Sequence, residues 1–441
     1  MTAERYQVVI VGAGLVGAAA ALALGRQGLR VALIERQPPD TTIHGLQPAE
    51  RMGNGAAVGN PSASPLRGES RTPLVGHVPD ETWDTRIYAI SPASQRFLER
   101  LGAWKQMDAG RIQPVYRMDV VGDAAGAIRL DAYEAGVSHL AAIVESGRLQ
   151  HALWQALQAD GNVEIHCPAA IESIEWDEPC SRLTLEDGRL LEAELVVGAD
   201  GAASRIRELA GLNSTLTPYG QSGVVANFEC EHPHRGTAYQ WFFDSDILAW
   251  LPLAGHTTPR GLQPTVDRSP LGENRLSMVW STPSAHADAL LALEATALAD
   301  AVRRAGHNRL GELRLLTPAA AFPLRLIRVQ TTVAPGVALI GDAAHGVHPL
   351  AGQGVNLGFG DAEVLAEVLA QQHRHSRCGD VRILNAYARQ RAEPVQRMQA
   401  LTHGLHHLFA DPRAAWLRNA GMKCVNQLPP LKAALVREAM S

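Results

Sequence analysis

At 441 residues the chain is long enough for two or three domains around a sizeable core, and its 46% apolar and 19% charged content is globular. A net charge of −5 with no long basic run gives nucleic acid no footing. Five cysteines (Cys167, Cys180, Cys230, Cys378, Cys424), widely spaced and without a CxxC, exclude a disulfide framework and a zinc site and point to a reducing, cytoplasmic setting.

The first predicted unit, YQVVIVGAGLVGAAAALALGRQGLRVALIER, runs strand, Gly12-x-Gly14-x-x-Gly17, helix, strand, then Glu35. Gly12 allows the tight turn, Gly14 lets the backbone approach a pyrophosphate, and Gly17 lets helix and strand pack closely. Glu35 follows Gly17 by 18 residues, at the strand end where an acid takes two ribose hydroxyls. An acid there favours an unphosphorylated ribose, hence FAD or NAD over NADP. Val8 to Gly25 is also 18 residues without a charge, close to a membrane span. Glycine and alanine dominate it, and Arg5 alone is too thin a positive region for a signal peptide. No other window approaches a span, so a soluble chain is expected.

Residues 40–80 are rich in Gly, Pro, Ser and Asn without periodicity and read as a mobile surface insertion. Tyr116 to Gly122 and Ala127 to Ala132 alternate around a Gly-Asp-Ala-Ala-Gly turn, which predicts a hairpin. Farther on, an apolar strand (Leu195 to Val197) ends in Gly198-Ala199-Asp200-Gly201 before a helix carrying Arg205 and Arg207. Asp200 there either binds a ribose or holds the Gly201 turn, and the arginines either face phosphates or form a solvated helix start. Gly223 to Leu253 and Arg275 to Trp280 continue as strands. Tyr239, Gln240, Trp241 and Gln221 lie on candidate pocket strands, where ordinary sheet packing suits them equally.

The segment GDAAHGVHPLAGQGVNLGFGD (341–361) follows the apolar run Val337 to Ile340. It puts Asp342 at a strand end, ready to accept from a sugar or ribityl hydroxyl. A turn through Gly352, Gln353 and Gly354 then opens into a helix whose free N–H groups attract negative charge. A reduced flavin carries such charge along its N1–C2=O edge, so the turn suits a flavin ring. His345 and His348 stand at i, i+3 without a third ligand, so no metal is expected; His345 fits a hydrogen bond within the turn and His348 packing beside Pro349. From about residue 376 the apolar spacing is helical.

The motif order, with four further segments, resembles the single-component flavin aromatic hydroxylases of the para-hydroxybenzoate hydroxylase type, and within them the ubiquinone-biosynthesis hydroxylases. Those segments are DTRIYAISPASQRFLERLGAW (Asp84 to Trp104), GVVANFECEHPHRGTAYQWF with ILAWLPL (Gly223 to Leu253), FPL (Phe322 to Leu324) and HPLAGQGVNLGFGD. The resemblance covers nearly the whole chain outside the insertion. It implies an α/β, two-domain fold. A discontinuous Rossmann-like FAD-binding domain would take 1–110, 141–215 and 322–375. A β-sheet substrate domain (111–140, 216–321) would roof the flavin, with C-terminal helices over 376–441.

The implied activity is ring hydroxylation of a lipophilic polyprenylated phenol or benzoquinol. NADH or NADPH docks transiently to reduce FAD, and O2 then forms a C4a-hydroperoxide. The implied FAD contacts are Gly12, Gly14, Gly17, Glu35, Arg86, Asp200, Asp342, Gly352, Gly354 and the backbone of Val355 and Asn356, with Pro349 bounding the oxygen site. Where relatives tend to have Glu-Asn, this chain has Val144-Glu145-Ser146, and Arg148 stands in as the compensating contact. No base for ionising a phenol announces itself. A prenylated substrate implies peripheral contact at the inner face of the membrane or a place in a multi-protein ubiquinone-biosynthesis complex. Two alternatives stay open. One is a flavin hydroxylase of a small soluble phenol or secondary metabolite, which would need a buried Arg in place of a long apolar tunnel. The other is a non-hydroxylating flavin-binding scaffold.

Overall fold

The computed structural model describes residues 3–38, 83–122, 126–243, 246–255, 274–348, 352–371, 376–410, 421, 425, 426 and 432. The expected insertion at 40–80, Pro349 and most of the chain after residue 410 lie outside them.

Continuous apolar runs make the first sheet. Val8, Val9 and Ile10 of Glu4–Val11 and all of Val31–Ile34 are buried, as strands covered on both faces must be. Glu4–Val11 pairs in parallel with Val31–Ile34 on one side and Leu190–Gly198 on the other. Val163–His166 extends one edge and Val337–Leu339 the other, both also parallel. The helix Leu15–Gly25 is buried nearly all round. It shares a core with the helices Ser146–Gln158 and Gly354–Ala370 on one face of this sheet. The result is an α/β dinucleotide-binding layer.

The second sheet has nine strands and is mostly antiparallel. In order from one edge, with Leu313–Leu315 paired beside Ser214–Cys230 off this path, it runs His345–Gly346, Ala320–Val329, Ser214–Cys230, Asn274–Pro283, Asp246–Leu253, Thr237–Phe243, Arg117–Val121 and Ala127–Asp131. The last two form the expected hairpin. The residue 322 boundary expected from sequence falls inside Ala320–Val329, which pairs with Ser214–Cys230 in this sheet.

Register fixes what each face does. Val224, Ala226, Phe228, Leu248, Trp250, Met278 and Trp280 point to one side, where they share a core with the helices Ser284–Leu291 and Ala295–Ala305. The opposite side carries Val225, Asn227, Ala249, Leu251, Ser277 and Val279. At one end that inward side meets the three-stranded sheet of Ile87–Ile90, Ala141–Glu145 and Gln113–Val115, through Leu253 and Ala238 against Ile143 and Val115. At the other end Phe242 and Ile247 pack with Leu405 of the helix Val381–Ala410.

That helix spans both layers. The Tyr387 hydroxyl donates to the Leu339 carbonyl of the first sheet at 2.8 Å. The Gln399 amide donates to the Ile327 and Gly346 carbonyls of the second at 2.9 and 3.2 Å. Among the described residues, no helix is long and apolar enough to cross a membrane.

Candidate cofactor and substrate site

Three motifs separated by more than a hundred residues each converge at the carboxyl end of the first sheet. Gly12 has φ +101°, and a Cβ on it would lie 2.5 Å from the Ala199 carbonyl oxygen, so the glycine turn crosses directly over the Gly198–Gly201 segment. A Cβ on Gly17 would stand 1.9 Å from the Gly12 carbonyl oxygen, so the helix seats tightly on its own turn. Val16, between them, is the side chain that a Cβ on Gly341 or Gly358 would meet, at 3.3 and 2.5 Å. The arginine expected near phosphate, Arg207, ties the other two motifs together: its guanidinium donates to the Ala202 and Ala343 carbonyls at 2.8 and 2.9 Å.

Within this junction the predicted residues divide into ties and open positions. Asp200 holds its turn: its carboxylate accepts from the Arg205 and Ile206 amides at 2.7 and 3.1 Å and from the Ser204 hydroxyl. Glu35 accepts from the Ala13 amide of the glycine turn at 2.6 Å and from its neighbours Arg36 and Gln37. A carboxylate offers about four lone-pair directions, so one remains. Asp342 is exposed and makes no side-chain bond among the described residues. Gly14 caps the helix Leu15–Gly25 with its backbone, and a Cβ there would meet nothing within 4 Å.

A second opening lies at the helix Gly354–Ala370. Gly352 sits before it at φ +61°, 3.6 Å from the Ala89 Cβ if given a Cβ of its own. The first-turn N–H groups of Gly354, Val355 and Asn356 have no partner within an α-helix. The Asn356 side chain fixes this terminus to the facing strand: it donates to the Ala89 carbonyl at 2.9 Å and accepts the Ser91 amide at 3.0 Å. Behind the turn, His345 does not bond within it but lies 2.6 Å from Asp361 on the helix. Asp361 also accepts the Gly341 amide and the Arg391 guanidinium at 2.9 and 2.7 Å. His348 is buried, 3.2 Å from the Gln221 amide oxygen and edge-on to the Tyr219 ring.

The Asp84 to Ser91 segment reaches the same place. Arg86 is exposed, with its guanidinium 5.2 Å from the Tyr88 ring centroid. Burial raises the Tyr88 pKa; Arg86 lowers it and Asp342 raises it, which sets all three in one neighbourhood. Arg148 is turned to Glu145, 3.1 Å from its carboxylate. Sequence reasoning passed over Glu145, which is 1% exposed and accepts a bidentate pair from Arg111 at 2.8 Å.

On the roof, Val225 is buried while Ala249, Leu251, Val279 and Phe322 keep part of their surface open on the inward side. They form an apolar floor, and Leu251 packs with Ile87 and Ala89 of the Ile87–Ile90 strand. Of the candidate pocket residues, Gln240 shares the inward side, whereas Tyr239 and Trp241 stack on the helix side with ring centroids 5.7 Å apart. Elsewhere, Glu4, Glu164 and His166 form a trio whose ligand atoms lie close enough for a metal. His166 Nδ1 faces the Arg189 guanidinium at 2.8 Å and must accept, which leaves the proton on Nε2, the nitrogen beside Tyr6. His166 then has no lone pair to offer a metal in the trio.

The openings fit FAD. The space that a Gly14 side chain would fill admits a pyrophosphate, the residual lone pair of Glu35 and the exposed Asp342 suit ribose and ribityl hydroxyls, and the Gly354 helix start suits the anionic edge of the ring.

Comparison with known proteins agrees. The chain is 30% identical to the 3-demethoxyubiquinol 3-hydroxylase of Escherichia coli (strain K12) over the full length of both. It is 31% identical to the ubiquinone hydroxylase UbiL of Rhodospirillum rubrum, covering 98% of this chain and 89% of that one. Its fold is that of PqsL from P. aeruginosa (TM-score 0.70, 23% identity, 96% and 100% of the two chains) and of p-nitrophenol 4-monooxygenase PnpA from Pseudomonas putida DLL-E4 (TM-score 0.68, 16% identity, 100% and 98%). The FAD binding domain family matches residues 5–45 and 71–402, and the chain belongs to it.

Proposed function

We propose that the protein is an FAD-dependent monooxygenase that hydroxylates the aromatic ring of a polyprenylated phenol or benzoquinol in ubiquinone biosynthesis, using NAD(P)H and O2. The observation that carries this is the apolar patch on the inward face of the roof, where Ala249, Leu251, Val279 and Phe322 stay partly open. Full-length similarity to ubiquinone hydroxylases supports it. The chemistry that FAD supplies when bound is acceptance of a hydride and activation of oxygen for the ring.

The chain's own residues bind, orient and exclude water. Gly14 leaves the pyrophosphate its space. Glu35, Asp342 and Arg86 contribute at the nucleotide and ribityl side, and Asp200 holds the adjoining turn. The N–H groups of Gly354, Val355 and Asn356 favour negative charge on the ring edge. The roof residues keep water from the reacting face. A prenyl tail leaves along the same apolar floor, which favours peripheral membrane contact or a lipid-carrying complex.

A small carboxylated ring, the second reading, would call for a buried arginine. Arg275 is buried on the inward face with Trp83 against its guanidinium, and Glu229 across the strand pair is bound by Arg314, so Arg275 is the residue on which this second reading stands. The test is mass spectrometry of the quinone extract from cells lacking the gene, beside the parent. A prenylated ring short of one hydroxyl is expected, and an unchanged pool with no redundant hydroxylase moves the reading to the soluble phenol.

A further inference from the structure

We infer that Glu145, Arg111 and Trp83 form a positioning joint through which the roof and the FAD seat are held as one unit, so that loading FAD tightens the roof strands. The inference rests on FAD binding and extends the reading above to how the two layers are coupled.

Glu145 ends the strand Ala141–Glu145 and immediately precedes the helix Ser146–Gln158. Both of its oxygens are engaged. Oε1 accepts from the Asp84 amide at 2.9 Å and from Arg111 at 2.8 Å; Oε2 accepts the Arg111 Nε at 2.8 Å, with Arg148 at 3.1 Å. Asp84 in turn accepts the Gly147 amide at 2.6 Å and the Arg86 amide at 2.9 Å. The carboxylate therefore sets the entry to the Ile87–Ile90 strand, which Asn356 fastens to the cofactor turn through Ala89.

The other side of the joint is the roof. The Arg111 guanidinium lies 3.7 Å from the Trp83 ring centroid, and the Arg275 guanidinium of strand Asn274–Pro283 lies 5.4 Å from it. One ring is thus shared by a cation from each layer. Asn227 of strand Ser214–Cys230 donates to the Asp84 carbonyl at 2.8 Å. Asn227 and Ser277 are cross-strand partners, with Arg275 two residues along. Asn227 Oδ1, Ser277 Oγ and Arg275 Nε are all buried and lack hydrogen-bond partners among the described residues. These three atoms lie on one seam of the roof beside Asp84 and Trp83, so its opening should respond to what those two residues do.

Amide hydrogen exchange by mass spectrometry on the full chain, without and with saturating FAD, tests the joint. In the wild type, FAD should slow exchange in Ser214–Cys230 and Asn274–Pro283 by about three- to thirtyfold. In Glu145→Gln/Arg111→Met, which removes the carboxylate together with its bidentate partner and leaves Arg148 facing a neutral amide, FAD should still protect the Gly12 turn and the Gly354 helix while the roof protection disappears. Trp83→Leu/Arg275→Met cuts the joint from the roof side and should give the same pattern if the first variant does not fold. Equal roof protection in wild type and variant, or none in the wild type, overturns the joint. Failure of the wild type to hydroxylate any prenylated ring would overturn the preceding reading alone, because the exchange result needs no substrate.

Discussion

His345 and Asp361 meet 2.6 Å apart behind the cofactor turn, in a place where Asp361 is wholly buried and Arg391 closes the other side at 2.7 Å. One carboxylate thus joins the Gly341 turn, the helix Gly354–Ala370 and the C-terminal helix. Asp361→Ala leaves Arg391 facing a vacated carboxylate site. Removing one partner of such a pair costs about 3–5 kcal/mol. Urea unfolding of the variant should show a loss of that size, and a loss within error of an exposed control such as Glu175→Ala would refute the role.

The same group predicts an acid arm. Burial pushes the Asp361 carboxyl up, but His345 and Arg391 outweigh it and hold the group below its ordinary 3.8. A depressed folded value means the stabilisation is fully present above the unfolded value and is lost as pH falls through the folded one. The stability gap between wild type and Asp361→Asn should stay flat from neutral pH to about pH 4 and shrink below it. A gap that grew on acidification would contradict this.

Neighbouring glycines should fail in different ways. A Gly14→Val side chain points into open space, so the protein should fold normally yet purify colourless. Gly17→Ala puts its Cβ against the Gly12 carbonyl at 1.9 Å, so the fold itself should weaken. Asp342→Ala removes hydrogen bonds worth about 1–3 kcal/mol, roughly ten- to hundredfold in FAD affinity. Full yellow occupancy in Gly14→Val, read by absorbance, would displace the pyrophosphate from this turn.

Opposite faces of one hairpin separate substrate from scaffold. Ala249→Trp fills the apolar floor and should raise KM for a prenylated quinol at least about tenfold with FAD content unchanged. Gln240, its cross-strand partner, shares that face, while Tyr239 points to the helices. Tyr239→Phe should leave KM within about twofold. Equal effects from the two changes would place the substrate elsewhere.

Local signals were the legible ones. The glycine turn, the Arg117–Val121 and Ala127–Asp131 hairpin and the start of the Gly354 helix each follow from a few consecutive residues. What sequence left dark depends on pairing across distance. Glu145 drew no attention beside the Ser146 departure from the family pattern, because its partner Arg111 lies 34 residues earlier. His345 was assigned to its own turn because nothing local marks Asp361 as a buried anion. The side taken by Tyr239 and Trp241 depends on which sheet face the helices Ser284–Leu291 and Ala295–Ala305 cover, and alternation alone is symmetric between the two.

The long C-terminal helix has a consequence for biogenesis. Arg391 and Gln399 follow every strand of both sheets in the chain, yet they clamp the Gly341 turn and the roof edge. During synthesis the strands of both sheets among the described residues therefore emerge before these latch residues, and the cofactor seat can be latched only after this helix has left the ribosome.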